Sequence, residues 1–330
     1  MPLAAAIALA TAAAASELFT WAWSRAISKR YPPTGQLVWL GRGKIHYTRR
    51  APEVAALGHV LLIHGASGNE ADMMIPLGDR LAAKGFDVVA IDRPGHGCSD
   101  RLGADTLKAQ AATIALFCRR IGVGSAIVVG HSLGGAVATT LALENAELTA
   151  GLVLLSSVTH PWPGGAVGWH SRVAAAPVIG RLFAWTLVAP VGLSTIDRLL
   201  TTVFAPQPTP ADYAARTGVK RVLRPSNFIA NARDLLDLYP TVKSQVARLS
   251  TIKSPTALIA GDEDKVVSTR IHSMAAHAAI DGSRLTILRE TGHSPHWSQP
   301  DLVVDAICAI ALRRNDAGKP RDADMSTSGA

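Results

Sequence analysis

The sequence predicts an α/β fold, a mainly parallel eight-stranded sheet flanked by helices, with a helical insertion lying over one edge. Three observations carry that expectation. Short apolar runs of strand length alternate with stretches of helical spacing, the pattern of βαβ units and so of a parallel sheet. The central runs are continuously apolar rather than alternating, as strands covered on both faces should be. The alternation fails once, between Val158 and Ser250, where prolines and amphipathic stretches replace strands.

The first 30 residues stand apart. Pro2 to Ser16 carries no charge, and apolar character continues past Glu17 through Phe19, Trp21 and Trp23. That is about the 20 residues a helix needs to cross a bilayer. Alanine dominates it and contributes little transfer free energy, so the segment reads as an anchor or interfacial helix. A signal peptide cleaved near Ala15-Ser16 and a helix packed on the protein's own surface are the alternatives, although a basic segment ahead of the apolar run is missing. Arg25, Lys29, Arg30, Arg42, Lys44, Arg49 and Arg50 follow instead. By the positive-inside tendency this gives a membrane-associated protein with a cytoplasmic catalytic domain; a secreted or periplasmic protein is the alternative.

Beyond Pro32-Pro33, Gln36 to Leu40 and Lys44 to Thr48 form a hairpin across Gly41-Arg42-Gly43. His59 to His64 is the next strand, Met74 to Lys84 a helix closed by Gly85, and Phe86 to Asp92 a strand. Thr106 to Ile121 is a helix bounded by Gly122, followed by the strand Ala126 to Val129, the helix Gly135 to Glu144 and the strand Gly151 to Ser156. In the insertion, Arg181 to Val188, Ile196 to Val203 and Phe228 to Tyr239 are amphipathic. Thr256 to Ala260 and Leu285 to Leu288 complete the sheet. The core thus comprises residues 31–157 and 251–313, the cap 158–250, and the polar tail 314–330 reads as disordered.

With 330 residues, 48% of them hydrophobic, the chain can bury one large domain and an insertion. Its formal charge is +8, with a pI near 9.7 and a mean hydropathy of +0.21. No basic stripe interleaved with aromatics is present, so a nucleic-acid partner is not expected. The basic cluster behind the apolar N-terminus suits an anionic membrane surface instead. Cys98, Cys118 and Cys308 are odd in number and widely spaced, which implies neither a disulfide framework nor a zinc site. No His/Asp cluster has metal-ligand spacing, and no cofactor is expected.

The chemistry is concentrated at three loops. Gly130-His131-Ser132-Leu133-Gly134 follows an apolar strand and precedes an Ala/Leu-rich helix. That context suits a sharp strand-to-helix turn presenting a serine hydroxyl, with small residues letting strand and helix approach. Gly261-Asp262-Glu263-Asp264 and Gly292-His293-Ser294-Pro295-His296 follow the last two strands. All three sit at carboxyl ends of strands, where open α/β sheets place their ligands.

These pieces, together with His64-Gly65 after a strand, Asp92-Arg93-Pro94-Gly95-His96-Gly97-Cys98-Ser99-Asp100, and Pro300-Asp301 behind the histidine loop, resemble the α/β-hydrolase superfamily from about Leu40 to Leu312. The order Ser, acid, His is also that family's. The resemblance implies that Ser132 is the nucleophile, that His293 is the general base and then general acid, and that Asp264 orients His293. It implies an oxyanion hole from the backbone N–H groups of Leu133 and Ala66. Asp262 and His296 compete for the acid and base roles, and the family's Gly-x-x-Asp and Gly-His patterns favour Asp264 and His293. His131, His64 and His96 read as structural neighbours, and His272 and His277 as solvent-facing on a helix. Trp297-Ser298-Gln299 departs from relatives that carry an acid there, which puts the packing beneath His293 in question.

A serine nucleophile implies ester hydrolysis through an acyl-enzyme, without metal or organic cofactor. The insertion supplies Trp162, Phe183 and Trp185, among other apolar residues, as a lining for a small hydrophobic ester; the alternative is that they only fix the cap to the core. Two other readings stand beside the esterase: C–C bond hydrolysis, perhydrolysis or amide cleavage on the same triad, and a non-enzymatic accessory protein holding a hydrophobic ligand such as a tetrapyrrole.

Overall fold

The computed structural model describes residues 3–163 and 167–317, with side chains to Arg313. Its eight strands are β1 (Gln36–Leu40), β2 (Gly43–Arg50), β3 (Gly58–Ile63), β4 (Phe86–Ile91), β5 (Ala126–His131), β6 (Thr149–Leu155), β7 (Thr256–Gly261) and β8 (Arg284–Leu288). They form one sheet in the order β1-β2-β4-β3-β5-β6-β7-β8. β1, β2 and β4 pair antiparallel, and every later pairing is parallel. Parallel pairing requires crossovers, supplied here by α2 (Glu70–Ala83), α3 (Leu107–Arg120) and α4 (Leu133–Glu144).

Two-sided burial explains the continuous apolar strands. Alternate residues of β3 point to opposite faces. Leu61 and Ile63 pack with Ile114, Phe117 and Leu141 on one side, and Val60 and Leu62 with Met73, Leu77, Leu81 and Ile307 on the other. Fully burying each such side chain is worth roughly 1.5–3 kcal/mol, so the strands β3, β4 and β5 anchor the fold.

The cap contains α5 (Trp169–Ala175), α6 (Ile179–Phe183), a π turn at Ala184–Val188, α7 (Ala189–Phe204), α8 (Tyr213–Thr217) and α9 (Pro225–Gln245). The core resumes after it with α10 (Ala275–Ala279), α11 (Pro295–Ser298) and α12 (Pro300–Ala317). At the other end of the chain, α1 (Leu3–Arg30) is a single 28-residue helix, mostly exposed, with Lys29 and Arg30 in its last turn. By length and composition it is able to cross a membrane; Ile179–Phe204 passes the same test but has more of its surface buried. α1 lies against the π turn and α7, where the Ser16 hydroxyl donates to the Thr186 carbonyl.

Three local expectations are corrected. α2 starts at Glu70 rather than Met74, because Asn69 caps it: its side-chain oxygen accepts the Ala71 N–H at 3.0 Å. Glu70 and Asp72 are buried in the first turn, so a reading by apolar spacing misses that turn. His272 is buried rather than solvent-facing, because its turn packs on the segment after β6: the N–H groups of Thr159 and His160 both donate to its Nδ1 at 3.3 Å. Burial, then the neighbouring His160, pushes its pKa down to about 4. His277 is exposed, as expected. Finally, α12 continues to Ala317, so residues 314–317 of the expected tail are helical, and the rest lies outside the described residues.

Candidate active site

Ser132 is built into strain. It follows β5 directly and adopts φ 52°, ψ −122°, a conformation rare for a side-chain-bearing residue. Such a residue costs on the order of 1–3 kcal/mol and persists only where its surroundings over-determine it. Here they do. The Ser132 N–H donates to Leu155 O at 2.9 Å, and its carbonyl accepts from Gly135 N at 3.0 Å and Val158 N at 3.2 Å. The turn also needs bare backbone: a Cβ on Gly134 would lie 2.4 Å from the His64 carbonyl oxygen. The result is a serine perched at the start of α4.

The histidine and its partner come from two other loops. His293 Nδ1 meets Asp264 Oδ2 at 2.8 Å, and the Asp264 carboxylate is fully buried. Asp264 Oδ1 accepts the N–H groups of Val266 and Val267, each at 2.8 Å. Burial pushes the Asp264 carboxyl up, but the His293 hydrogen bond and charge, with the two N–H donors, hold it below the usual carboxylate value. An ionised acceptor on Nδ1 fixes the tautomer and leaves Nε2 free to take a proton. Asp262 instead receives the Thr291 N–H at 3.4 Å, and Glu263 is exposed. His293 therefore pairs with Asp264 and not with Asp262.

Ser132 and His293 line one cavity of about 700 Å³. Ser132 Oγ has no hydrogen bond to a described residue; bonds of this kind are often long without substrate. His131 connects the two loops: its Nε2 donates to the His293 carbonyl at 2.9 Å, and the two rings lie 4.8 Å apart. Burial, then the neighbouring histidines, holds His131 well below its ordinary pKa, so it is neutral.

Ala66 also lines the cavity. Its loop is fixed from the cap, where Asn231 Oδ1 accepts the Ser67 N–H at 2.7 Å. Leu133 opens α4, so its N–H is among the first-turn donors without a helical partner. His64 braces the same loop: its Nδ1 donates to Gly65 O at 2.8 Å, and its Nε2 accepts Arg93 N–H at 3.0 Å.

Of the three cap aromatics expected at the substrate, Phe183 lines the cavity and the other two do not. Trp162 lies edge-on to Tyr239 and His272, packed against the core. Trp185 turns toward α1, into a second cavity. Both follow from amphipathic cap segments that have two neighbours to cover, so spacing alone does not say which. Leu187, Val191, Leu199, Phe228 and Leu235 are among the other apolar residues of the wall.

Sequence reasoning missed Asn231 and Asp234, because polar residues within helical runs look like solvent-facing positions, and Asp72, because it lies in a polar turn ahead of the apolar spacing. Asp72 accepts from the Tyr213 hydroxyl at 2.8 Å and from the Trp297 indole at 3.0 Å. Trp297, where relatives carry an acid, thus donates to a buried one and lies edge-on to Tyr213 at 5.1 Å. Among the described residues two groups have ligand atoms close enough for a metal ion, Asp72-His131-His296 and His46-Asp92-Cys98. Asp92 is already engaged by His46 at 2.7 Å and by the N–H groups of Glu70 and Cys98, which disfavours a cation there.

The profile of the Alpha/beta hydrolase family matches residues 60–306. An uncharacterized protein of Mycobacterium tuberculosis is 28% identical over 321 residues, covering 89% of this chain and 85% of that one. A 2-hydroxy-6-oxononadienedioate/2-hydroxy-6-oxononatrienedioate hydrolase of Comamonas testosteroni is 26% identical over 248 residues, 73% of this chain and 83% of its own. A thermophilic esterase from Thermogutta terrifontis shares the fold, with a TM-score of 0.68 at 20% identity, over 85% of this chain and 99% of that one.

Proposed function

This chain belongs to the alpha/beta hydrolase family, and from that premise we propose that it is a serine hydrolase of hydrophobic carboxylic esters. The observation that carries the reading is the shared cavity: Ser132 and His293 stand in its wall, and Asp264 holds the far side of the imidazole at 2.8 Å. In this reading His293 Nε2 takes the Ser132 proton as Oγ attacks the ester carbonyl carbon. The oxyanion is held by the N–H groups of Ala66 and Leu133. His293 then protonates the departing alcohol, leaving an acyl-serine. Water, deprotonated by the same nitrogen, attacks the acyl carbon; the acid leaves and Ser132 regains its proton. Removing one oxyanion donor from such a site typically costs about 10²–10³ in kcat.

The wall composition supports a neutral, apolar substrate. Among the described residues no Lys or Arg lines the cavity. The dienedioate named for the Comamonas relative is a dicarboxylate, and such a substrate finds no counter-ion here. C–C hydrolysis on the same triad is the second reading, favoured by that relative. We also propose that α1 attaches the catalytic domain to a membrane, supported by its exposed apolar length and terminal basic residues.

The test is a fluorophosphonate label followed by p-nitrophenyl esters of graded chain length and a ring-fission dienoate. The ester reading expects labelling of Ser132 and turnover that rises with acyl length. Turnover of the dienoate alone replaces it with C–C hydrolysis. A protein that neither labels nor turns over either substrate is an accessory binding protein.

A further inference from the structure

A second cavity, of about 710 Å³, lies at the seam between the last turns of α1 and the cap, away from Ser132. Arg25 from α1, Arg181 from α6 and Arg224 before α9 converge on it, with the hydroxyls of Ser24 and Ser28. We propose that this cavity binds a phosphate group.

Among the described residues no Asp or Glu lines the cavity. Among the described residues none of the three cavity arginines has a carboxylate partner, so three like charges share one concavity. Arg224 donates to Ser28 Oγ at 3.1 Å and to the Gly97 carbonyl, while its Nε is buried without a partner, and so is Ser24 Oγ. Arg25 is held over the Trp21 ring at 5.0 Å, which steadies its guanidinium at the rim. A tetrahedral oxyanion, with several acceptor lone pairs and one or two negative charges, matches the charge of the three guanidinium groups that line the cavity.

On the reading that α1 attaches the domain to a membrane, Arg25 follows the apolar run of α1 on its basic side, where an anionic headgroup would lie. Two sources carry the same chemistry, a phospholipid headgroup and a soluble phosphate ester.

The experiment uses the full chain, as wild type, as the double variant R25Q/R181Q, and as K29Q/R30Q, which removes equal charge at the same end of α1 outside the cavity. Partitioning is measured by flotation with vesicles of phosphatidylcholine alone and of phosphatidylcholine with phosphatidylglycerol, at about 0.15 M salt. A lipid phosphate in the cavity gives R25Q/R181Q an about tenfold weaker preference for the anionic vesicles, with K29Q/R30Q close to wild type. In parallel, thermal midpoints are read with inorganic phosphate. A rise in wild type and K29Q/R30Q that R25Q/R181Q lacks supports the site with a soluble ester as its source. Equal vesicle preference across the three proteins with no phosphate shift overturns the proposal. So does an equal loss in both double variants, which marks diffuse surface charge.

Discussion

At the carboxyl edge of the sheet, His293 Nδ1 meets Asp264 Oδ2 at 2.8 Å; beneath the cap, His96 Nε2 meets Asp234 Oδ2 at the same 2.8 Å. The pairs differ in what else each member touches. Asp264 has two backbone N–H partners, and its histidine lines an apolar cavity that Ser132 also lines. Asp234 is also bonded by Arg93, by Arg101 at 2.6 Å and by Gln110 at 2.8 Å, and its histidine faces His64 edge-on at 5.3 Å. Burial pushes the His96 pKa down, followed by Arg93, so that imidazole is neutral and saturated with neighbours. A histidine–aspartate contact is therefore not a catalytic signature. A ring that lines a cavity together with Ser132 is what distinguishes one pair from the other.

That contrast is broken most sharply at the serine. Ser132→Ala should lower kcat on esters by about 10⁶ with the thermal midpoint unchanged, measured by steady-state turnover and calorimetry; a mutant with wild-type turnover removes Ser132 from the mechanism. Asp264→Asn should cost about 10⁴ in kcat while leaving stability close to wild type, because it offers the imidazole the wrong partner. Asp234→Asn should invert the pattern. It leaves Arg93 charged and buried without its counter-ion, a change that typically costs about 3–5 kcal/mol in urea unfolding, with kcat per folded molecule held within about threefold. Loss of activity without loss of stability in that variant would merge the two pairs into one class.

A smaller effect tests a third buried acid beside a histidine–aspartate pair. Burial, then Asp92, pushes Glu70 up to about 7 from an ordinary 4.5. The folded protein then keeps a proton that the unfolded chain releases above pH 4.5, so Glu70 makes stability fall as pH rises from 4.5 to 7, by at most about 3 kcal/mol. Glu70→Gln should flatten that decline in urea midpoints taken at pH 5 and pH 7.5. The smallest effect belongs to Asp262→Asn, which should change kcat by less than about threefold.

The sequence made the sheet and the three loops legible for the same reason: both are written in local patterns. Continuous apolar runs announce strands, and Ser132, Asp264 and His293 each sit where a strand ends. Residues acting across the fold left no such trace. Asn231 and Asp234 lie in one amphipathic helix, 164 and 141 positions from the groups they bond, and helical spacing cannot tell a solvent-facing acid from one that seals a buried arginine. Trp162 and Trp185 were indistinguishable from Phe183 by composition, since any apolar cap residue has two surfaces to cover. Asp72 was hidden by the polar first turn of α2.

The double role of α9 has a consequence for how this protein can be re-engineered. One face of that helix both steadies the loop carrying Ala66 through Asn231 and grips Arg93 and Arg101 through Asp234, one turn on. It is chassis rather than interchangeable fitting, although it falls inside the insertion by chain order. Chimeras that transplant a specificity module from a relative should splice ahead of Arg224 and retain the host's α9; grafts cut at residue 250 would carry away part of the machinery they are meant to redirect.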